Sequence, residues 1–252
     1  ALWDCLARAA DLPLCRLLGA SPTTGRAYDS MGQMAPDETA RQVDSSMKSG
    51  YRAFKIKAGP PHTSRAEEVL ESMLNAAAGE PIWLALDFNQ AYSPVMSIQR
   101  ARRLERFGLA WLEEPARAED NAGHALVRAG TTRPIQTGEN WWGIADMQRS
   151  LDAGASDHAM PDVMKIGGVS GWQDAAALAH GQAMPVSNHL FTEISAHLMS
   201  ATPTAHMLEV LDVAGAILQE PTTVSAGGTI APADRPGSGI EWSQGAITKF
   251  RV

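Results

Sequence analysis

Cysteine is nearly missing from the 252 residues, with Cys5 and Cys15 on one short segment. Two are too few for the disulfide framework of a small secreted fold and the wrong pattern for a zinc site, so both read as reduced and structural. No apolar run approaches the ~18 residues needed to cross a bilayer, which excludes a membrane span. No Lys/Arg cluster offsets a net charge of −7, from 28 acidic and 21 basic residues, so nucleic acid is excluded as a partner. The opening, Ala1 to Ala10, has neither the charged segment nor the cleavage site of a secretory leader, and a cytoplasmic setting is expected. No GxGxxG turn follows the first strand-like run and no GxSxG elbow occurs, which leaves hydride and acyl transfer without their motifs.

What is present is an ordinary globular composition, 44% apolar and 19% charged. Short apolar or alternating runs recur at 26–31, 53–57, 82–89, 110–114, 135–139, 158–163, 185–189 and 207–211, giving eight strand candidates. Between them lie helix-like stretches at 36–49, 64–78, 98–107, 144–153, 172–180 and 193–201. Strand and helix alternating in this way form a parallel sheet, and eight units in roughly 190 residues suit a closed α/β (β/α)8-type TIM barrel. The barrel is expected over residues 1–220. After Leu211 the pattern dissolves into Pro221, Gly227-Gly228, Pro232 and Pro236-Gly237, so 221–252 is expected as an extended cover and not a ninth repeat. The chain opens in mid-helix without Met, which suggests a piece of something longer.

The charges fall at one end of the strand candidates. In such a barrel the working face is built from the carboxyl ends of the strands. Here those ends carry Lys55 and Lys57, Asp87 and Asn89, Glu113 and Glu114, Glu139 and Asn140, Asp162, Asn188 and His189, and Glu209. Asp87 and Glu113 are 26 residues apart, as are Glu113 and Glu139, which is one strand-helix unit each time. Three carboxylates from adjacent strands at matching height would repel without a cation, and an all-oxygen set suits Mg²⁺. Lys55 and Lys57, two apart on a strand, share a face, where each is expected to lower the other's pKa and leave a neutral lysine as base. Asp162 and His189 end neighbouring strands, so the carboxylate can fix the imidazole. Glu209 is either a general acid or a buried carboxylate paired with a lysine. Leu208, Val210 and Leu211 beside it favour the acid, kept protonated by an apolar neighbourhood.

A divalent cation with a lysine on one side and a histidine on the other describes removal of the proton next to a carboxylate, and two bases on opposite faces permit inversion. At the same positions the sequence resembles the enolase superfamily, in particular its mandelate racemase subgroup. The likeness rests on Phe54-Lys55-Ile56-Lys57, Asp87-Phe88-Asn89-Gln90, Trp111-Leu112-Glu113-Glu114-Pro115, Thr137-Gly138-Glu139-Asn140-Trp141, Met160 to Gly168 and Ser187 to Phe191. From Ser195 to Leu211 it looks closer to mandelate racemase than to the sugar-acid dehydratases of the subgroup.

The resemblance implies a modified (β/α)7β barrel with one Mg²⁺ on Asp87, Glu113 and Glu139. It implies Lys57 as base for one substrate face and His189, supported by Asp162, for the other. Lys55 and Glu209 would bind and polarise the substrate carboxylate. Asn89 resembles a residue that contacts the substrate hydroxyl or supports the metal site, Ser30 resembles a further substrate contact, Leu190 and Leu211 resemble apolar pocket lining, and Lys165 matches a lysine near the metal carboxylates. It also implies a homo-oligomer, often an octamer, and an N-terminal capping domain to which nothing in this chain corresponds; residues 221–252 would pack on it. The expected activity is racemisation of mandelate or a similar 2-hydroxy acid. Dehydration of a sugar acid is the alternative, and a capless barrel that binds metal without turnover is the third.

Overall fold

The computed structural model describes residues 1–58 and 65–251. His62, to which no role is assigned, and Ser64, the expected start of the second crossover helix, lie outside the described residues. Seven parallel strands run in the order β6-β5-β4-β3-β2-β1-β7. They are β1 (Gly25–Met31), β2 (Ala53–Lys57), β3 (Trp83–Asp87), β4 (Leu112–Glu113), β5 (Ile135–Thr137), β6 (His158–Ala159) and β7 (Leu208–Val210).

The expected seventh strand, 185–189, forms isolated bridges instead of a ladder. Val186 bridges Ala159 on one side and Ala205 on the other, and Asp162 bridges His189. Pro185 has no N–H to donate, and Leu190 and Phe191 turn left-handed (φ 54° and 48°), which stops the run on both sides. These bridges nevertheless close the ring, since β6 leads through 186 and 205 to β7, and β7 pairs with β1.

Two helices, α1 (Leu2–Ala9) and α2 (Leu14–Leu17), precede β1, and further helices fill the crossovers. Pro36 opens α3 (Pro36–Lys48) with Asp37 and Glu38 in its first turn and Lys48 in its last, charges that suit the helix dipole. The others between strands are α4 (Ala66–Ala76), α5 (Pro94–Leu104), α6 (Asn121–Gly130), α7 (Ile144–Asp152), α8 (Gly168–Gly181) and α9 (Thr192–Ser200). Helix α6 has no counterpart among the sequence-derived helices; Asp120 caps it, accepting from the Gly123 amide at 2.8 Å. No helix among the described residues is long and apolar enough to cross a membrane.

The tail differs from a purely extended cover. A short β8 (Thr229–Ile230) pairs antiparallel with β1, and a terminal helix spans Gln244–Phe250. It adds no further strand-helix unit.

Strand alternation decides what faces inward. Phe54, Ile56, Leu84, Leu86 and Leu112 pack in one cluster with helix residues such as Leu70, Met73 and Leu104. The intervening positions turn into the barrel, where Tyr28, Ala53, Ala85, Trp111 and Met207 form an apolar floor. Lys55, Lys57, Asp87 and Glu113 lie on this inward set.

Candidate active site

The strand register places the charges. Lys57 is the Cα partner of Asp87, and Asp87 of Glu113, so these three stand at one height on β2, β3 and β4. Glu139 does not share that height, contrary to the equal spacing in sequence, because Glu113 pairs with Gln136. The chain bends through Gly138, whose φ of 136° and whose packing leave no room for a side chain: a Cβ would meet the Trp141 ring at 2.8 Å. That bend brings Glu139 back, and one oxygen from each of Asp87, Glu113 and Glu139 lies within 4.8 Å of the others.

Backbone strain concentrates here. Of eight non-glycine residues with positive φ among the described residues, Asn89, Gln90, Glu114, Leu190 and Phe191 follow strand ends at this mouth. Each re-aims the chain just beyond a functional side chain.

The triad has the donor set of a hard divalent cation. Three carboxylates are buried together, and Asp87 Oδ2 and Glu139 Oε2 are sealed from solvent without a hydrogen bond. Burial pushes the Glu113 carboxyl up to about 7, with Lys55 opposing and Asp87, Glu209 and Glu139 adding to the rise. Asp87 is raised as well, by burial and by Glu139, against Lys55 and Lys57. Glu114, which sequence reasoning left without a role, reaches about 8 through burial and the nearby Glu139, although the Gly138 amide donates to it at 3.1 Å. A Mg²⁺ ion would relieve this repulsion, so the residues present fit the metal.

Lys57 and His189 flank the triad. Lys57 Nζ lies 3.3 Å from Asp87 Oδ2, and His189 Nε2 lies 3.5 Å from Glu139 Oε2. On its other side His189 Nδ1 is 2.7 Å from Asp162 Oδ2. Burial alone would lower the His189 pKa, but the Asp162 hydrogen bond with Glu209 and Glu139 nearby holds it above its ordinary value. Asp162 is correspondingly lowered: burial is outweighed by His189 and by the amides of Met164 and Lys165.

Two protonation states differ from the sequence expectation. Lys55 is not made neutral by Lys57. It is fully buried and ion-paired to Glu113 and, at 2.6 Å, to Glu209, and these carboxylates outweigh burial and raise its pKa well above normal. Glu209 is not kept protonated by apolar neighbours. Burial would raise it, but Lys55, His189 and the Leu190 amide, which donates at 2.8 Å, together lower it. It is the buried carboxylate paired with a lysine.

Lys55, Lys57, Asp87, Glu113, Glu139, Asp162, His189 and Glu209 thus form one network, and Lys165 reaches it through Asn140, whose Oδ1 accepts from Nζ at 2.9 Å. Leu190 enters it through its amide on Glu209, and Asn89 through its amide on Asp87 at 2.6 Å. Ser30 is buried beside Lys55 in the strand register, whereas Leu211, expected to line the pocket, sits one residue past β7 and is exposed; neither makes a hydrogen bond into the network.

Four supporting residues had no role assigned from the sequence. Trp111 Nε1 and Gln136 Nε2 donate to Glu113 Oε2 at 3.1 and 3.0 Å. Asn188 accepts from the Glu209 amide at 2.7 Å, and Asn140 donates to Glu139 Oε1 at 3.3 Å. Asn140 and Asn188 adjoin residues already singled out, which was the available signal.

Comparison with known proteins places this geometry. The family described as Enolase C-terminal domain-like matches residues 38–246. L-talarate/galactarate dehydratase of Salmonella typhimurium is 31% identical over 250 residues, 98% of this chain and 62% of that protein. D-galactarolactone cycloisomerase of Agrobacterium fabrum is 30% identical over 278 residues, covering 100% of this chain and 72% of that one. The crystal structure of an enolase from Bradyrhizobium, complexed with magnesium and mandelic acid, superposes with a TM-score of 0.94 at 41% identity, over 99% of this chain and 69% of that chain. The chain therefore spans about two thirds of the length of these relatives. The two curated relatives act on sugar-acid skeletons by name, which sets the likeness at the superfamily and not at mandelate racemase in particular.

Proposed function

This chain belongs to the enolase superfamily, as a member with the C-terminal barrel domain, and from that premise we propose that it removes the proton next to the carboxylate of a small hydroxy acid, with Mg²⁺ held by Asp87, Glu113 and Glu139. The observation that carries this reading is the position of two bases at opposite ends of the triad, Lys57 beside Asp87 and His189 beside Glu139.

When bound, Mg²⁺ supplies positive charge at the substrate carboxylate and so lowers the cost of the second negative charge that develops as the α-proton leaves. Lys57 Nζ holds or takes a proton on one substrate face. His189 Nε2, with its ring fixed by Asp162, does so on the other. Lys55, kept charged by its ion pair with Glu209, binds and polarises the carboxylate as a fixed cation, and Lys57 is the base. Ser30 and Asn89 contact substrate hydroxyls, and Leu190 and Leu211 line the pocket.

Within this class we propose dehydration of a sugar acid, in which His189 or Lys57 hands a proton to the departing hydroxyl. The sugar-acid dehydratase and cycloisomerase among the relatives support it. Racemisation of a 2-hydroxy acid such as mandelate is the second reading, favoured by the mandelic acid in the Bradyrhizobium structure. There the proton returns to carbon from the opposite base. A cytoplasmic homo-oligomer completes the proposal.

Incubation with Mg²⁺ in D₂O separates the readings. A 2-keto product from galactarate or L-talarate marks dehydration. Deuterium at the α-carbon of both mandelate enantiomers, without a keto product, marks racemisation. Neither outcome with any acid of these classes sinks the proposal.

A further inference from the structure

The turn after β6 reaches two parts of the site at once. The amides of Met164 and Lys165 donate to Asp162 Oδ1 at 2.7 and 3.3 Å and so hold the carboxylate that orients His189. The Lys165 side chain runs the other way, to the end of β5. There Nζ donates to Asn140 Oδ1 at 2.9 Å, and Asn140 Nδ2 donates to Glu139 Oε1 at 3.3 Å. The Lys165 carbonyl also accepts from the Gly143 amide at 3.1 Å, which ties the loop carrying Asn140 to the same turn.

The three carboxylates of the triad are not equally fixed. Glu113 is held by Lys55, Trp111 and Gln136, and Asp87 by the Asn89 amide with Lys57 alongside. Among the described residues the only hydrogen bond that the Glu139 carboxylate accepts comes from Asn140. A side-chain amide can present either end to a neighbour, and turning its oxygen toward a carboxylate is repulsive. An ammonium is a donor only. Lys165 therefore compels Asn140 to keep its oxygen toward Nζ and its NH₂ toward Glu139.

We propose that Lys165 is a positioning residue for the third metal carboxylate. Acting through Asn140, it fixes the Glu139 rotamer that faces Asp87 and Glu113 and keeps that carboxylate from collapsing onto His189, 3.5 Å away. The inference rests on the Mg²⁺ role assigned to the triad. It also gives the turn after β6 a double duty, since one peptide segment sets both the His189 dyad and the Glu139 ligand.

Mg²⁺ titration by calorimetry, without substrate, tests it on the wild type and on Lys165→Met, Lys165→Arg, Asn140→Ala and the Lys165→Met/Asn140→Ala double variant. Partners that orient metal ligands are worth about 10- to 100-fold in affinity, so Lys165→Met and Asn140→Ala should each weaken Mg²⁺ within that range. Lys165→Arg, which keeps a donor-only cation, should return to within about threefold of wild type. The double variant should be no weaker than the worse single one, because both cut the same relay. Unchanged affinity in Lys165→Met, or losses that multiply in the double variant, overturns the relay while leaving the metal site standing. A wild type that binds no Mg²⁺ overturns the metal reading itself and the relay with it. If Lys165→Met does not fold, Lys165→Gln, which offers Asn140 an acceptor as well as a donor, replaces it in the same comparison with Lys165→Arg and Asn140→Ala.

Discussion

Lys55 Nζ lies 2.6 Å from a Glu209 carboxylate oxygen, and both side chains are sealed from solvent inside the barrel. The pair joins the strand that carries Lys57 to the strand that closes the ring, and it keeps a permanent positive charge beneath the mouth.

Removing one partner of a buried pair leaves an uncompensated charge. Lys55→Met, which strands both Glu113 and Glu209, is expected to cost about 3–5 kcal/mol in urea unfolding. Glu209→Gln keeps shape and a hydrogen-bonding oxygen and should cost about 1–3 kcal/mol. Equal stability of Lys55→Met and wild type would contradict the pairing.

Mg²⁺ affinity should rise with pH. Glu113 at about 7 and Glu114 at about 8 are raised above their unfolded values, so the stability they contribute to the metal-free protein is complete below the unfolded value and is lost as pH rises through 7 to 8. Mg²⁺ needs the Glu113 proton gone, so calorimetry should show affinity increasing by up to about tenfold per pH unit from pH 6 to 7, with proton release into the buffer. The rise in Tm on adding Mg²⁺ should be larger at pH 8 than at pH 6.

Acid should destabilise the fold through histidines that play no part in the site. Burial lowers His197 and His206 to about 4. Their folded pKa lies below the unfolded value near 6.5, so the unfolded chain binds protons first and stability falls as pH drops from about 6.5 to 4. Replacing His206 by Gln should flatten that slope relative to wild type, by about 2–3 kcal/mol over the window. Urea midpoints at pH 7 and pH 5 check it, and an unchanged slope would count against the burial of this ring.

Asp162→Asn should act on one substrate face only. His189 would lose the partner that holds it 2.7 Å away and raises its pKa. Proton exchange on the His189 side should fall about 10²- to 10⁴-fold, while exchange on the Lys57 side persists. Equal losses on both faces would show that Asp162 serves the whole site instead.

The barrel and its ionisable ring were legible because a strand-helix unit has a nearly constant length, so a 26-residue interval between carboxylates places them on successive strands. Protonation states were not. Leu208 and Val210 flank Glu209 in sequence, but on a strand they point away from it, and what Glu209 meets is Lys55 from across the barrel interior. The height of Glu139 was misjudged for a related reason: spacing counts residues and does not register the left-handed bend at Gly138. Asn140 and Asn188 carry no charge to mark them, and their importance follows from which carboxylate each one holds.

The central claim is metal-assisted proton abstraction by two opposed bases. Proton NMR in D₂O tests it most directly, with Mg²⁺ and a panel holding galactarate, L-talarate and both mandelate enantiomers, on the wild type, Lys57→Ala and His189→Asn. The account predicts Mg²⁺-dependent loss of an α-proton signal from at least one acid, with Lys57→Ala and His189→Asn each abolishing exchange on a different face. Mg²⁺ binding with no exchange from any acid would contradict it and leave a barrel that holds metal without turnover.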